Sequence, residues 1–80
     1  MNEEILNVAH FPCPMPIIKL KQKMAQWQQT GVHGRIRLLV RDRGAIKDIP
    51  AFCQQQGLRL VSMDTEQEPM QFVIEILRRV

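Results

Sequence analysis

The alternation of residues between Arg35 and Arg41 constrains the fold of this chain most. Apolar residues occupy one side of the period-two pattern: Ile36, Leu38 and Val40. The other side is mostly basic: Arg35, Arg37, Leu39 and Arg41. Because successive side chains of a strand point to opposite faces, the pattern predicts a strand with one buried face and one open, basic face. The other elements must then pack on the buried side.

Similar patterns predict the elements on either side of this strand. Residues 4–9 indicate a short strand that stops at His10-Phe11-Pro12. A helix begins at the Pro14/Pro16 pair, because proline is tolerated in a first helical turn, and it ends at Thr30-Gly31. Its apolar stripe recurs at helical spacing: Ile17, Leu20, Met24 and Trp27.

A second helix is predicted over residues 45–56, followed by Gly57 as its stop. Its apolar face comprises Ile46, Ile49, Phe52 and Cys53. Pro50 would crowd a helix that starts at residue 45, so a start nearer Asp48 is the alternative. Strands are predicted over 58–63 and 70–77, with an acidic turn over 64–69.

The predicted order is βαβαββ within a single domain, residues 1–80. Two helices of about three turns cannot cover both faces of a four-stranded sheet. We therefore expect an α+β fold, a two-layer sandwich of a four-stranded mixed sheet with two helices packed on one face.

Composition indicates a cytoplasmic protein that does not insert into a membrane. No apolar run approaches the roughly 20 residues of a membrane span, and the acidic start Met1-Asn2-Glu3-Glu4 is unlike a secretory signal. Cys13 and Cys53 are 40 residues apart without paired ligands nearby, so we expect no disulfide, no metal site and no cofactor.

Positive charge is concentrated in the first half of the chain. Residues 1–43 carry seven Lys or Arg and three Asp or Glu. This asymmetry favours an acidic partner, either a protein or a nucleic acid, and a merely solvated surface is an equal alternative. The candidate docking residues are Lys19, Lys23, Arg35, Arg37 and Arg41.

Cys13 is the candidate catalytic residue, because it directly precedes the first helix. Unpaired amides and the helix dipole at such a position stabilise a thiolate and lower the pKa of the thiol. Pro14 and Pro16 stiffen the turn, and His10 is either a residue that tunes the thiolate or a polar turn residue. A chain this short has little room for a substrate pocket, which favours a group-transfer carrier over a full enzyme. The alternative is that Cys13 is a small apolar residue at a helix start.

The run Cys13-Pro14-Met15-Pro16-Ile17-Ile18-Lys19 resembles the CPxP signature of the TusA/SirA-like sulfur-carrier family. The run from Asp42 to Cys53 resembles that family's second motif, at the usual separation, and the βαβαββ order matches its two-layer sandwich. The resemblance covers nearly the whole chain. Family members commonly have an acid six residues before the cysteine and a glycine three before it, where this chain has Asn7 and His10.

The resemblance implies a sulfurtransferase-type carrier that holds sulfur as a persulfide on Cys13. The implied donor is a cysteine desulfurase or a rhodanese-type protein. The implied acceptors are downstream proteins of tRNA thiolation, cofactor maturation or sulfur metabolism. Asp42, Gly44 and Asp48 are implied to shape the second motif, and Cys53 is expected in the core.

Two alternatives remain at this stage: a module that binds RNA through the basic sheet face, and a regulatory thiol. Single-strand binders stack bases on aromatic side chains of the open sheet face. Trp27, Phe52 and Phe72 fall on predicted buried positions, so direct nucleic-acid binding is disfavoured. We expect a monomer.

Overall fold

The computed structural model describes residues 2–11, 15–31 and 33–76 and confirms the predicted order of elements. The strands are β1 (Asn2–Asn7), β2 (Gly34–Val40), β3 (Arg59–Asp64) and β4 (Met70–Ile76). The helices are α1 (Met15–Thr30) and α2 (Ala45–Gln56). Leu77, which was predicted to end the last strand, lies outside the described residues.

The four strands form one mixed sheet in the order β1-β2-β4-β3. β1 runs parallel to β2, whereas β4 is antiparallel to both β2 and β3. An irregularity between Leu60 and Ser62 inserts one extra residue into β3. The fold is therefore the predicted α+β sandwich.

The core lies between the sheet and the two helices, on the side of β2 that the alternation predicts. Ile36, Leu38 and Val40 are completely buried, whereas Arg35, which precedes them in β2, is exposed. The helices contribute the following residues to the same core cluster: Leu20, Met24, Trp27, Ala45, Ile49, Phe52 and Cys53. Ile17 and Ile46 are only partly buried against it. The other face of the sheet, called here the open face, carries the β2 arginines.

The second helix begins at Ala45, so the alternative start near Asp48 is wrong. Its first turn is closed by amides that donate to the preceding turn: Ala45 N–H bonds the Asp42 carbonyl at 3.1 Å and Asp48 N–H bonds the Gly44 carbonyl at 3.0 Å. Pro50 lies inside the helix as its sixth residue, where it removes one intrahelical amide donor without ending the helix.

Gly57 ends this helix as predicted. Its φ of 68° lies in the left-handed region, which favours glycine. The Leu58 amide then donates to the Cys53 carbonyl at 2.8 Å, and the Gly57 amide to the Gln54 carbonyl at 3.4 Å. These bonds satisfy two carbonyls at the helix end.

The first strand starts and ends earlier than predicted. It ends at Asn7 rather than residue 9, because the Asn7 side chain accepts a hydrogen bond from the Ala9 amide at 3.1 Å and turns the chain. β3, in contrast, begins at Arg59, one residue later than predicted, since Gly57 and Leu58 complete the helix end. Within the described ranges, no helix is long and apolar enough to cross a membrane.

Candidate functional site

The connection from β1 to α1, which contains the CPxP run, leaves the sheet at the edge where β1 and β2 both end. The buried Val8 donates its amide to the Leu39 carbonyl at 3.0 Å and so extends the contact between these two strands. The Phe11 amide donates to the Val8 carbonyl, also at 3.0 Å, which closes a tight turn. The candidate nucleophile Cys13 and its neighbour Pro14 lie outside the described residues.

The first turn of α1 follows directly and suits an anion near its start. Pro16, its second residue, is almost completely buried and fixes the backbone there. No acidic residue occurs in this turn. The unpaired amides and the positive end of the helix dipole are therefore not neutralised by a carboxylate of the turn itself.

Phe11 contacts both a second ring and a cation. The exposed His10 ring lies 4.1 Å from the Phe11 ring, measured between centroids. The Lys19 ammonium lies 5.3 Å from the centroid of the same ring, within cation–π range. No described non-glycine residue has a positive φ, so His10 needs no conformation that favours glycine. His10 and Lys19 therefore both contact Phe11, a residue that lies just before the CPxP run in the sequence.

The five candidate docking residues do not form one surface. Lys19 and Lys23 lie on α1, in the helical layer. Arg35 and Arg37 lie on the open face, and Arg41 follows the end of β2. The charge asymmetry of the sequence therefore resolves into two basic regions on opposite sides of the sheet.

Most of these cations also have acidic or amide partners. Lys23 Nζ lies 2.8 Å from Glu4 Oε2, and Arg35 Nε lies 3.4 Å from Glu75 Oε2. The Arg37 guanidinium donates to Glu3 Oε1 at 3.0 Å and 3.2 Å and to Gln71 Oε1 at 2.8 Å. Their positive charge is therefore partly compensated, whereas Lys19 faces only an uncharged ring among its described contacts.

The aromatic residues do not provide a base-stacking platform on the open face. Trp27, Phe52 and Phe72 are buried in the core, as predicted, and Phe11 packs partly buried against it. Among the described residues, no group of three or more His, Cys, Asp or Glu could hold a metal ion. The described aromatic side chains therefore give no support to the alternative of RNA binding by base stacking.

The second motif shapes the turn between β2 and α2. Asp42 Oδ1 accepts the Gly44 amide at 2.8 Å, and a side chain at Gly44 would begin only 3.1 Å from that oxygen. The Asp42 carbonyl also accepts the Ala45 amide. This is the structural role that the resemblance predicts for Asp42 and Gly44.

Cys53 lies in the core and is only 2% exposed, as expected for a packing residue. Burial raises the pKa of the Cys53 thiol, because the apolar surroundings disfavour the thiolate. Cys53 is therefore a poor nucleophile in the folded protein.

We expect the folded protein to react with iodoacetamide at one cysteine only, with Cys53 modified after unfolding in urea. Peptide mass spectrometry at successive times measures both rates. Because the neutral thiol is favoured in the fold, the stability that Cys53 contributes is present below the pKa of the unfolded thiol and is lost as the pH rises above it. Rapid alkylation of Cys53 in native protein at neutral pH would contradict its assignment to the core.

The chain combines a βαβαββ sandwich with a cysteine in the connection between β1 and α1. A family model described as sulfurtransferase TusA matches residues 4–76. Two candidate sulfur carrier proteins, from Neisseria meningitidis serogroup A and serogroup B, are each 36% identical to this chain over 75 residues. Each alignment covers 94% of this chain and 97% of the relative.

A crystal structure of a SirA-like protein from Desulfitobacterium hafniense has the same fold, with a TM-score of 0.74 and 14% identity. The alignment covers 95% of this chain and 99% of that one. The chain belongs to the TusA sulfurtransferase family and is a TusA-like sulfur carrier. The resemblance stated from the CPxP run and the second motif is thereby confirmed.

Proposed function

We propose that this protein carries sulfane sulfur as a persulfide on Cys13 and relays it to an acceptor protein. Membership in the TusA family is the observation that carries the proposal. The first turn of α1 supports it, because this turn contains no carboxylate to oppose a thiolate nearby. The buried Cys53 is unsuited to the role, since its thiol is enclosed by the core.

The chemistry is a sequence of two exchanges at sulfur. The Cys13 thiolate attacks the terminal sulfur of a persulfide on the donor; a new S–S bond forms, the donor S–S bond breaks, and the donor cysteine leaves as a thiolate. The acceptor thiolate then attacks the terminal sulfur on Cys13 in the same way. Neither step needs an added oxidant or reductant, because the sulfane sulfur moves with its oxidation state unchanged.

The donor under this proposal is a cysteine desulfurase or a rhodanese-type protein in the cytoplasm. The acceptor belongs to tRNA thiolation, cofactor maturation or sulfur metabolism. A small carrier suits such a relay because it must meet two proteins in turn and release each of them.

A single-turnover chase tests the relay. The protein is loaded with a desulfurase and cysteine, separated from the donor, and mixed with an acceptor that has a free cysteine. The proposal predicts that the intact mass of the carrier falls by one sulfur while that of the acceptor rises by one. A persulfide that persists on the carrier in the presence of each class of acceptor would contradict it.

The basic residues of α1 have a docking role in this proposal. Complementary charge speeds the encounter of two proteins without tight binding. Because Lys19 lies over the uncharged Phe11 ring while Arg35 is paired with Glu75, Lys19 retains more of its charge for a partner. Docking should therefore depend more on the α1 side than on the open face.

We expect Lys19→Gln to slow sulfur uptake several-fold at low ionic strength, and Arg35→Gln to slow it less. Rapid-quench measurement of persulfide formation, repeated at high ionic strength, gives both rates. Salt should reduce the difference between wild type and Lys19→Gln, since it screens exposed charges. Equal rates for Lys19→Gln and wild type at low salt would remove Lys19 from the docking surface.

A further inference from the structure

A small cavity lies beyond the end of β2, where the β2–α2 connection meets the β3–β4 connection. Its volume is about 140 Å³, and it is lined by Arg41, Arg43, Gln67, Glu68, Pro69 and Met70. The pairing of Val40 with Met70 brings the β3–β4 connection beside the end of β2. Of these residues only Arg41 was a docking candidate, and the proposed sulfur exchange gives the others no role.

Two arginines and one glutamate line this cavity, and only one of the arginines is paired with the carboxylate. Arg41 Nε lies 3.8 Å from Glu68 Oε1, and both side chains are largely exposed, at 63% and 79%. An exposed pair of this length stabilises a protein very little, so Glu68 can leave readily. Arg43 is exposed, and the described part of the chain shows no partner for its guanidinium. The cavity therefore has more hydrogen-bond donors than its own carboxylate can satisfy.

A chain of hydrogen bonds across the open face orients a third donor. Glu3 accepts from Arg37, Arg37 donates to Gln71 Oε1 at 2.8 Å, and Gln71 Nε2 donates to Gln67 Oε1 at 2.9 Å. Since this last bond occupies the Gln67 amide oxygen, the NH₂ group is the end of that side chain left to donate. The cavity thus combines two guanidinium groups and one amide from separate segments.

We propose that this cavity binds one tetrahedral oxyanion of the phosphate or sulfate type, which displaces the Glu68 carboxylate. Guanidinium groups bind such anions through paired, charge-assisted hydrogen bonds. Donors from two separate connections can surround a tetrahedral ion, and the cavity volume is sufficient for one such ion. We expect weak binding, in the millimolar range, because the site is exposed and the anion must displace the Glu68 carboxylate.

The cavity lies at the sheet edge from which the CPxP connection departs. Leu39, whose carbonyl binds the Val8 amide, is two residues before Arg41. A bound oxyanion would therefore be near the start of the β1–α1 connection. The binding site does not rest on the proposed sulfur transfer, and its test needs no persulfide.

Nuclear magnetic resonance titration of the full chain tests the site. Sodium phosphate and sodium sulfate are each added at constant ionic strength, balanced with chloride. We expect saturable shifts of the Arg41, Arg43 and Gln67 signals. Arg43→Met should weaken binding about fivefold, and Glu68→Gln should tighten it about threefold because the competing carboxylate is removed.

Matched variants separate the cavity from general charge. Glu66→Gln changes the net charge as Glu68→Gln does, on the same connection but outside the cavity lining. Lys47→Met likewise matches Arg43→Met, from an exposed position on α2. Both controls should leave the affinity near that of wild type.

Three results would overturn the proposal: no saturation with either anion, equal tightening by Glu66→Gln and Glu68→Gln, or equal weakening by Lys47→Met and Arg43→Met. A further arm adds a short single-stranded RNA. If RNA shifts the cavity signals while phosphate and sulfate do not, the surface binds a polyanion rather than a single oxyanion, and the proposal is wrong.

Discussion

Cys13→Ala should take up no sulfur from a desulfurase or a thiosulfate-fed rhodanese, whereas Cys53→Ala should load as fully as wild type. The proposed persulfide needs a thiolate that another protein's persulfide can reach. Cys53 cannot supply it, because its side chain is 2% exposed and burial raises the pKa of its thiol. Intact-mass spectrometry before and after incubation measures the gain of one sulfur atom.

The paired variants also serve as each other's control. Both remove one thiol and leave the other, so reagent-derived sulfur bound nonspecifically would appear in both. Circular dichroism should show that both variants are folded, since each substitution removes a single sulfur atom and the cavity left at Cys53 is small. Loading of Cys13→Ala to the extent of wild type would show that another group carries the sulfur.

The largest loss of stability is expected from Phe72→Ala. Phe72 is completely buried at the centre of β4, between β2 and β3 in the sheet. Removing a buried phenyl ring costs about 3–5 kcal/mol, because apolar contacts are lost and a cavity remains. Small domains have a free energy of unfolding of about 5–15 kcal/mol, and one of this length is expected toward the lower end. Much of the variant should therefore be unfolded at mild urea concentrations.

Met63→Ala is the matched control for this prediction. Met63 pairs directly with Phe72 in the sheet register, but its side chain is 44% exposed. Truncation at this position should lower the free energy of unfolding by about 1 kcal/mol or less, since little buried surface is lost. Urea denaturation followed by circular dichroism measures both variants. Equal losses for the two would contradict the position of the core.

The sequence was sufficient to predict the fold because hydrophobic periodicity changes sharply along this chain. The period of two over residues 35–41 predicted both the buried and the open face of β2, and the structure confirms it. The end of α2 was also predictable, since Gly57 stops a helix by its backbone freedom. The start of that helix was less certain, because the tolerance of Pro50 depends on how the Asp42–Gly44 turn satisfies the first amides.

The arrangement of charges was not predictable to the same degree. A sequence shows that Arg35 and Arg37 share a face, but only strand register places Glu75 and Glu3 beside them. Arg43 and Gln67 line the cavity beyond the end of β2, and the sequence patterns did not predict them as binding residues. They meet only because β4 returns antiparallel to β2, a pairing between residues far apart in the chain.

Locating the sulfur by tandem mass spectrometry on loaded wild-type protein tests the central claim most directly. The protein is loaded by a donor, alkylated to trap persulfides, digested and sequenced by fragmentation. The account predicts the extra sulfur on the peptide that contains Cys13, with the peptide that contains Cys53 unmodified. An extra sulfur on Cys53 alone, or on neither cysteine after full exposure to both classes of donor, would contradict it.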